Sequence, residues 1–270
     1  MVIFTDLDGT LIDYSDYSFQ KAIPALEVLR KNAIPLVLCS SKTRKEIEYY
    51  QKKIDNKQPF ISENGGGIFI PKGYFAISVM NQVIEVSEID DYYMVTLGAP
   101  YSDLRNVIQS LREKGFHIIG FGDMTVREVS EQTGLSMHEA EMAKEREFDE
   151  VFLHVGDEKE RLALLYSIEA AGYCHTSGRY FHIMGKSDKG KAVAILTELY
   201  GKVYDNLFTV AIGDNPNDVP MFEQVDYPII VQNKNGLYDE RINTSRLIKA
   251  DGIGPEGWNK AIMNLLSSPP

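Results

Sequence analysis

Short apolar runs alternate with helix-length amphipathic segments over the first eighty residues, and the same alternation returns after residue 187. Val2–Thr5 is a short apolar strand, and Pro35–Cys39 is a continuous apolar run of the kind a strand buried on both faces shows. Phe19–Lys31 carries Ala22, Leu26 and Leu29 at helical spacing, Thr43–Asp55 reads as a more polar helix, and Pro59–Ile61 as a strand leading into Ser62-Glu63-Asn64-Gly65-Gly66-Gly67. Near the other end follow a helix at Lys189–Tyr200, a strand at Phe208–Ile212, a helix at Asn217–Gln224, a strand at Pro228–Val231 and a helix at Gly257–Leu266. Such alternation predicts an α/β fold: a Rossmann-like, doubly wound parallel sheet with helices on its faces.

The middle of the chain reads differently. Strand patterns at Tyr92–Leu97 and Phe116–Phe121 flank a helix at Ser102–Lys114. Two helices follow at Thr125–Gly134 and Ser136–Glu145, then a strand at Glu150–Val155, a helix at Lys159–Ala171 and a β-rich pair around Tyr173–Met184. This pattern predicts an inserted α+β cap, a small open sheet with helices on one side. The expected division is a discontinuous core, 1–82 and 186–270, around a cap at 83–185, with hinges near Gln82 and Gly185.

A chain of 270 residues has room for both units. Its 44% apolar and 25% charged residues exclude disordered and fibrous classes. The net charge of −11 argues against a nucleic-acid partner, whose phosphates are met by a basic excess, yet leaves room for a small anion in a locally positive pocket. Cys39 and Cys174 have no CxxC spacing and form no disulfide framework. No secretory leader and no run of 18 apolar residues is visible, so no membrane association and a cytoplasmic location are expected.

Asp6-Leu7-Asp8-Gly9-Thr10 directly follows the first strand. In extended backbone, residues i and i+2 point the same way, so two carboxylates converge at the strand's carboxyl end, where open α/β sheets bind ligands. Close carboxylates repel unless a proton or cation lies between them, and a hard divalent cation such as Mg²⁺ suits an all-oxygen set. An Asp-Gly turn is the bland alternative. An EF-hand loop fails, because its sixth and twelfth positions would be Leu11 and Tyr17. A second strand ends in acids at Gly213-Asp214-Asn215-Pro216-Asn217-Asp218, which a turn alone does not explain. If it lies beside the first, Asp214 reaches the same cation and Asp218 orients its waters, while Asn217 is expected to cap the next helix. Ser40-Ser41-Lys42-Thr43 sets hydroxyls and N–H groups at a strand end before a helix, a natural anion cradle. Ser187-Asp188-Lys189-Gly190-Lys191 opens another helix. A lysine there usually faces solvent, so its significance depends on the other three elements.

These four elements, in this order, resemble the motifs of the haloacid dehalogenase superfamily of phosphohydrolases, at Asp6–Thr10, Ser40, Lys189 and Gly213–Asp218. The insert between the second and third resembles that of the sugar phosphatases with an α/β cap. Phe60–Pro71, Thr133-Gly134-Leu135, Arg146-Glu147-Phe148, Ser177-Gly178-Arg179 and Gly254-Pro255-Glu256-Gly257-Trp258 are similar to segments typical of mannosyl-3-phosphoglycerate phosphatases, so the likeness spans almost the whole chain. Asn215 stands where relatives commonly carry serine.

The resemblance implies a Mg²⁺-dependent phosphatase acting on a small sugar-phosphate substrate. Asp6 would be the nucleophile and Asp8 the acid and base, with Ser40 and Lys189 holding phosphoryl oxygens. Asp6, Asp8 (through its carbonyl), Asp214 and Asp218 would form the metal site. Glucosyl-3-phosphoglycerate, sucrose phosphate or hexose phosphates are alternative substrates, and a phosphomutase is an alternative reaction. Substrate contacts are expected from Ser41, Lys42, Asn64, Gly65, Gly66, Ser177, Gly178, Asn217, Arg146 and Arg179, the two arginines being suited to a carboxylate. Arg146 has a competing reading as part of a solvated helix face, Lys144-Glu145-Arg146-Glu147. His154, His175 and His182 show no metal-ligand spacing and are read as structural or surface residues, and Trp258 as packing the last helix.

Overall fold

The computed structural model describes residues 1–244 and 246–267. The elements are, in chain order, β1 (Val2–Thr5), α1 (Ile23–Lys31), β2 (Leu36–Cys39), α2 (Arg44–Lys53), β3 (Phe60–Ser62), β4 (Gly67–Pro71), α3 (Ile77–Met80), β5 (Ser87–Ile89) and β6 (Tyr92–Thr96). Then come α4 (Tyr101–Glu113), β7 (Ile118–Gly120), α5 (Val126–Thr133), α6 (Met137–Lys144), β8 (Asp149–His154), α7 (Glu158–Ala170), β9 (Cys174–Ser177) and β10 (Phe181–Met184). The chain closes with α8 (Lys189–Gly201), β11 (Thr209–Gly213), α9 (Val219–Phe222), β12 (Tyr227–Gln232), β13 (Ile248–Ile253) and α10 (Pro255–Ser267).

The main sheet has the order β13-β12-β11-β1-β2-β3-β4-β6-β5. Its first six strands run parallel and the last three antiparallel. Every residue of β1 and β2 is buried because both sheet faces are covered. Ile3, Leu36 and Leu38 pack under α1, α2 and α10, whereas Val2, Phe4, Val37 and Cys39 pack under α8 and α9. Trp258 of α10 is fully buried and its indole N–H donates to Thr5 Oγ1 at 3.0 Å, which pins the last helix to the end of β1.

The second sheet, β7-β8-β10-β9, is antiparallel. Phe152 and Ile183 face α4 and α7 on one side. Val151 meets Phe121, Val129, Leu135 and Ala143 of the α5–α6 region on the other, so the insert carries helices on both faces, not on one. Thr125, Ser136 and Asp157 each cap a helix with a glutamate three residues on, two unsatisfied N–H groups being met by each such box.

Tyr92–Leu97, expected within the cap, instead extends the main sheet. β6 pairs antiparallel with β4 over five residue pairs, and Leu97 and Gly98 N–H both donate to Gly66 carbonyl oxygen at 2.9 and 2.8 Å. Continuous hydrogen bonding through 96 keeps this hairpin with the core. The chain crosses between the two units at Gly98 and Gly185, which touch: a Cβ built on Gly185 would lie 2.5 Å from the Ala99 nitrogen.

Candidate active site

β1, β2 and β11 are neighbours, so the segments after them meet at one edge of the sheet. Asp6 follows β1 and is buried, with its Oδ1 accepting from Lys189 Nζ at 2.8 Å. Lys189 Nζ also donates to Asp218 Oδ1 at 2.7 Å. Lys189 is fully buried at the first turn of α8 and does not face solvent. Its cation is stable there because two carboxylates hold it, which keeps its proton affinity raised against the cost of burial.

Asp214 follows β11, with Oδ1 accepting from Thr10 Oγ1 at 2.8 Å and Oδ2 from Asn215 Nδ2 at 2.7 Å. Asp218 Oδ2 accepts the backbone N–H groups of Asp214 (2.9 Å) and Asn215 (3.0 Å), so both Asp218 oxygens already brace the loop and Lys189. Ligand atoms of Asp6, Asp214 and Asp218 lie within 4.8 Å of one another. Burial pushes Asp6 up to about 7 against the pull of Lys189, with Asp218 and Asp8 adding to the rise. Burial together with Asp6 and Asp218 raises Asp214 well above the carboxylate range. A buried, all-oxygen set in which negative charge exceeds positive charge is suited to a hard divalent cation. Gly9 is required beside it: φ is +83°, and a Cβ would lie 2.8 Å from Asp214 Oδ2.

Asp8 stands outside that cluster. Its Oδ2 lies 3.2 Å from Lys42 Nζ, and its Oδ1 has no partner among the described residues. Lys42, expected to contact substrate, is buried between Asp8 and Glu46 (3.2 Å) and over the rings of Tyr17 and Tyr50, so it positions Asp8. Ser40 ends up fully buried beyond β2, its Oγ accepting from Lys42 N–H at 3.3 Å.

A cleft with an empty volume of about 880 Å³, open mouth included, separates these residues from the cap. Asp6, Asp8, Ser41, Lys42, Asn215 and Asn217 line its floor, and Arg146, Thr176, Gly178, Arg179, Tyr180 and His182 are among those lining the cap side. Arg146 is half-buried as a residue, but its side chain is not on a solvated face: α6 ends at Lys144, and the guanidinium turns inward to donate to the Ser41 carbonyl oxygen at 3.1 Å, 3.5 Å from Asp149. Arg179 stays exposed at the mouth, where it donates to Tyr17 Oη at 3.3 Å. Ser177 is exposed and lies off the cleft.

Three residues expected to contact substrate, Asn64, Gly65 and Gly66, lie off the cleft lining, in a loop packed against the cap and α8. Asn64, with φ +54°, donates from Nδ2 to Asp149 Oδ2 at 2.9 Å and accepts from Asn217 Nδ2 at 3.1 Å, so Asn217 reaches across to Asn64 rather than capping a helix. Gly65 has φ +89°, and a Cβ there would sit 2.1 Å from the Asp188 carbonyl oxygen. A Cβ on Gly66 would meet Phe148 at 2.4 Å. The neighbouring Glu63 is fully buried, accepts N–H groups from Glu147 (3.0 Å) and Phe148 (2.7 Å), and is pushed up to about 8 by burial despite Arg146. This loop therefore joins the core to the cap. Sequence reasoning missed the cleft-lining Tyr14, Tyr17, Thr176, Tyr180 and His182, which lack a motif.

Sheet order, insert and carboxylate cluster define a hydrolase-type α/β core with a cap over its active edge. The haloacid dehalogenase-like hydrolase family matches residues 3–241, and the chain belongs to that family. It is 48% identical over 98% of its length to a glucosyl-3-phosphoglycerate/mannosyl-3-phosphoglycerate phosphatase of Methanococcoides burtonii, 97% of which is covered. A protein of the same description from Persephonella marina is 43% identical, with 99% and 97% covered. A mannosyl-3-phosphoglycerate phosphatase of Pyrococcus furiosus is 37% identical, with 85% and 90% covered. Among solved structures, Thermoplasma acidophilum 0175 superposes with a TM-score of 0.70 at 18% identity, with 99% and 98% of the chains covered. A subclass IIB sugar phosphatase superposes with a TM-score of 0.65 at 14% identity over 98% of both, which supports the fold.

Proposed function

We propose that the protein is a Mg²⁺-dependent phosphatase that hydrolyses mannosyl-3-phosphoglycerate to mannosylglycerate and phosphate. The observation that carries the reaction class is the buried Asp6 carboxylate, held by Lys189 beside Asp214 and Asp218 at the floor of a capped cleft. The substrate rests on the full-length relatives, and because the two most similar of those described carry both names, glucosyl-3-phosphoglycerate is a second substrate.

Asp6 attacks phosphorus, forming an aspartyl phosphate as the bond to the leaving oxygen breaks. Asp8, whose Oδ1 is free and whose Oδ2 is anchored by Lys42, protonates that oxygen and then takes a proton from the water that cleaves the aspartyl phosphate. Lys189 orients Asp6 and neutralises charge beside it, while Ser40 and Ser41 present the loop that faces the phosphoryl group. Asp6, Asp214 and the Asp8 carbonyl would hold Mg²⁺, with Asp218 bracing the loop. Bound there, the cation offsets the negative charge gathered as phosphate meets carboxylate. Residues 98–185 act as the cap that selects the organic part, with Arg146 and Arg179 on its cleft side, and the crossings at Gly98 and Gly185 are the hinges.

The test is phosphate release from mannosyl-3-phosphoglycerate, glucosyl-3-phosphoglycerate, sucrose 6-phosphate and mannose 6-phosphate, with Mg²⁺ and with EDTA. The two glycosyl phosphoglycerates are expected to react far faster than the rest, and only with Mg²⁺. Equal rates across the panel defeat the substrate assignment, and no phosphate from any compound brings the mutase reading forward.

A further inference from the structure

The cap wall contains a histidine that the mechanism above leaves unused. In register, His182 on β10 lies opposite Val151 on β8 and Thr176 on β9. Directly opposed residues share a sheet face, as does Asp149, two residues before Val151. Val151, Thr176 and His182 all line the cleft, so this face looks onto the reaction site.

His182 Nδ1 lies 2.9 Å from both oxygens of Asp149, which is fully buried. Asp149 is tied to the floor of the cleft along two routes. Through Asn64 it is linked to Asn217, and beside it Arg146 donates to the Ser41 carbonyl oxygen. Both Ser41 and Asn217 line the floor, so the imidazole is held in a set position relative to the phosphoryl site. Burial would raise Asp149, but His182, Arg146 and Asn64 hold it below the usual carboxylate range, so it remains a charged acceptor. A carboxylate on Nδ1 fixes both tautomer and ring orientation. Both hydrogen bonds of the ring run through Nδ1, and none among the described residues reaches Nε2.

We infer that His182, oriented by Asp149, is a specificity-determining residue whose Nε2 hydrogen-bonds an oxygen of the leaving group, either a sugar hydroxyl or the glycerate carboxylate. This rests on the proposed glycosyl phosphoglycerate substrate. A neutral imidazole accepts from a hydroxyl, and a protonated one donates to either group. Asp149 is a positioning residue: it acts only through the ring.

The experiment measures kcat/KM for the wild type and for His182→Phe, His182→Asn, Asp149→Ala and Asp149→Asn, with mannosyl-3-phosphoglycerate, 3-phosphoglycerate, mannose 6-phosphate and p-nitrophenyl phosphate. Thermal melting is run alongside to confirm folding. The ratio of mannosyl-3-phosphoglycerate to p-nitrophenyl phosphate is expected to fall at least about ten-fold in His182→Phe and Asp149→Ala, because a site built to bond a substrate oxygen discriminates strongly. His182→Asn, which is smaller than the ring and falls short of its reach, gives the same fall if the phenylalanine disturbs packing. Asp149→Asn still accepts from Nδ1–H and retains most of the ratio that Asp149→Ala loses. A loss shared with 3-phosphoglycerate assigns the carboxylate, and one confined to sugar-bearing substrates assigns a hydroxyl. An unchanged ratio in folded His182 variants overturns the inference while leaving the proposed substrate standing. A wild type that does not favour the mannosyl compound over p-nitrophenyl phosphate overturns the proposed substrate and the inference with it.

Discussion

The floor and the roof of the cleft are built by opposite rules. The floor gathers side chains from loops at the carboxyl ends of adjacent parallel strands, β1, β2 and β11, and its charges are almost all buried and paired. The roof uses residues on the face of an antiparallel sheet, from β8, β9 and β10, and leaves Arg179 exposed at the mouth. A buried network fixes geometry at the cost of tolerance, because removing one charge strands its partner. Apart from the linked set Arg146, Asp149 and His182, the roof holds its side chains one by one, so residues such as Arg179 can change with less disturbance. The comparison implies that chemistry belongs to the floor and selectivity to the roof.

The sharpest way to break that comparison is Asp6→Asn. It is expected to lower kcat by about a thousand-fold or more on every substrate alike, since a neutral amide cannot form the aspartyl phosphate. Turnover that stays near normal, or a loss restricted to one substrate, contradicts the division. Lys189→Met comes next. It strands Asp6 and Asp218 in a buried site, so activity should collapse and chemical denaturation should show a loss of about 3–5 kcal/mol. Arg179→Gln acts on the other wall. A rise in KM of about three- to ten-fold with kcat nearly kept is expected for the phosphoglycerate substrates, since a half-solvated arginine contributes binding more than chemistry. A fall in kcat alone would place Arg179 with the floor.

The smallest effect tests the loop that joins the two walls. Glu63 is raised from its ordinary 4.5 to about 8, so the folded state holds this proton more tightly than the unfolded one. Its contribution to stability is therefore lost as pH climbs from about 4.5 through about 8 and is flat above. Glu63→Gln removes that titration. The melting temperature of the wild type should fall more between pH 5 and pH 8.5 than that of Glu63→Gln. Parallel curves would show that Glu63 does not titrate in this range.

The floor was legible in the sequence because it is local. Asp6 and Asp8 lie two residues apart after an apolar run, and Asp214 and Asp218 repeat the arrangement, so pattern and chemistry coincide. Core strands buried on both faces announce themselves as continuous apolar runs. β13 does not, because as an edge strand it alternates exposed Lys249 and Asp251 with buried Ala250 and Gly252. The β5–β6 hairpin was placed in the cap because nothing in its residues says which sheet it joins. On the roof, Arg146 sits in a charge run that resembles a solvated helix, and only the end of α6 at Lys144 turns it inward. Gly65 and Gly66 suggest room for a ligand, yet the space is filled by the Asp188 carbonyl and Phe148. His182 comes to line the cleft only through its register against Val151 and Thr176, which distant strands decide jointly.

The touching crossings at Gly98 and Gly185 bear on how the chain assembles. β1 pairs with β11 across almost the full sequence, so the main sheet cannot close until its two halves meet. With the insert unfolded, they must meet across a long slack loop, whose closure entropy grows with length. Once the insert has folded through its own sequence-near pairings, its ends are already side by side, and the slack shortens to a few residues. The same juncture makes the insert exchangeable: a related domain with equally close ends could be spliced between residues 97 and 186 without altering the path of the core.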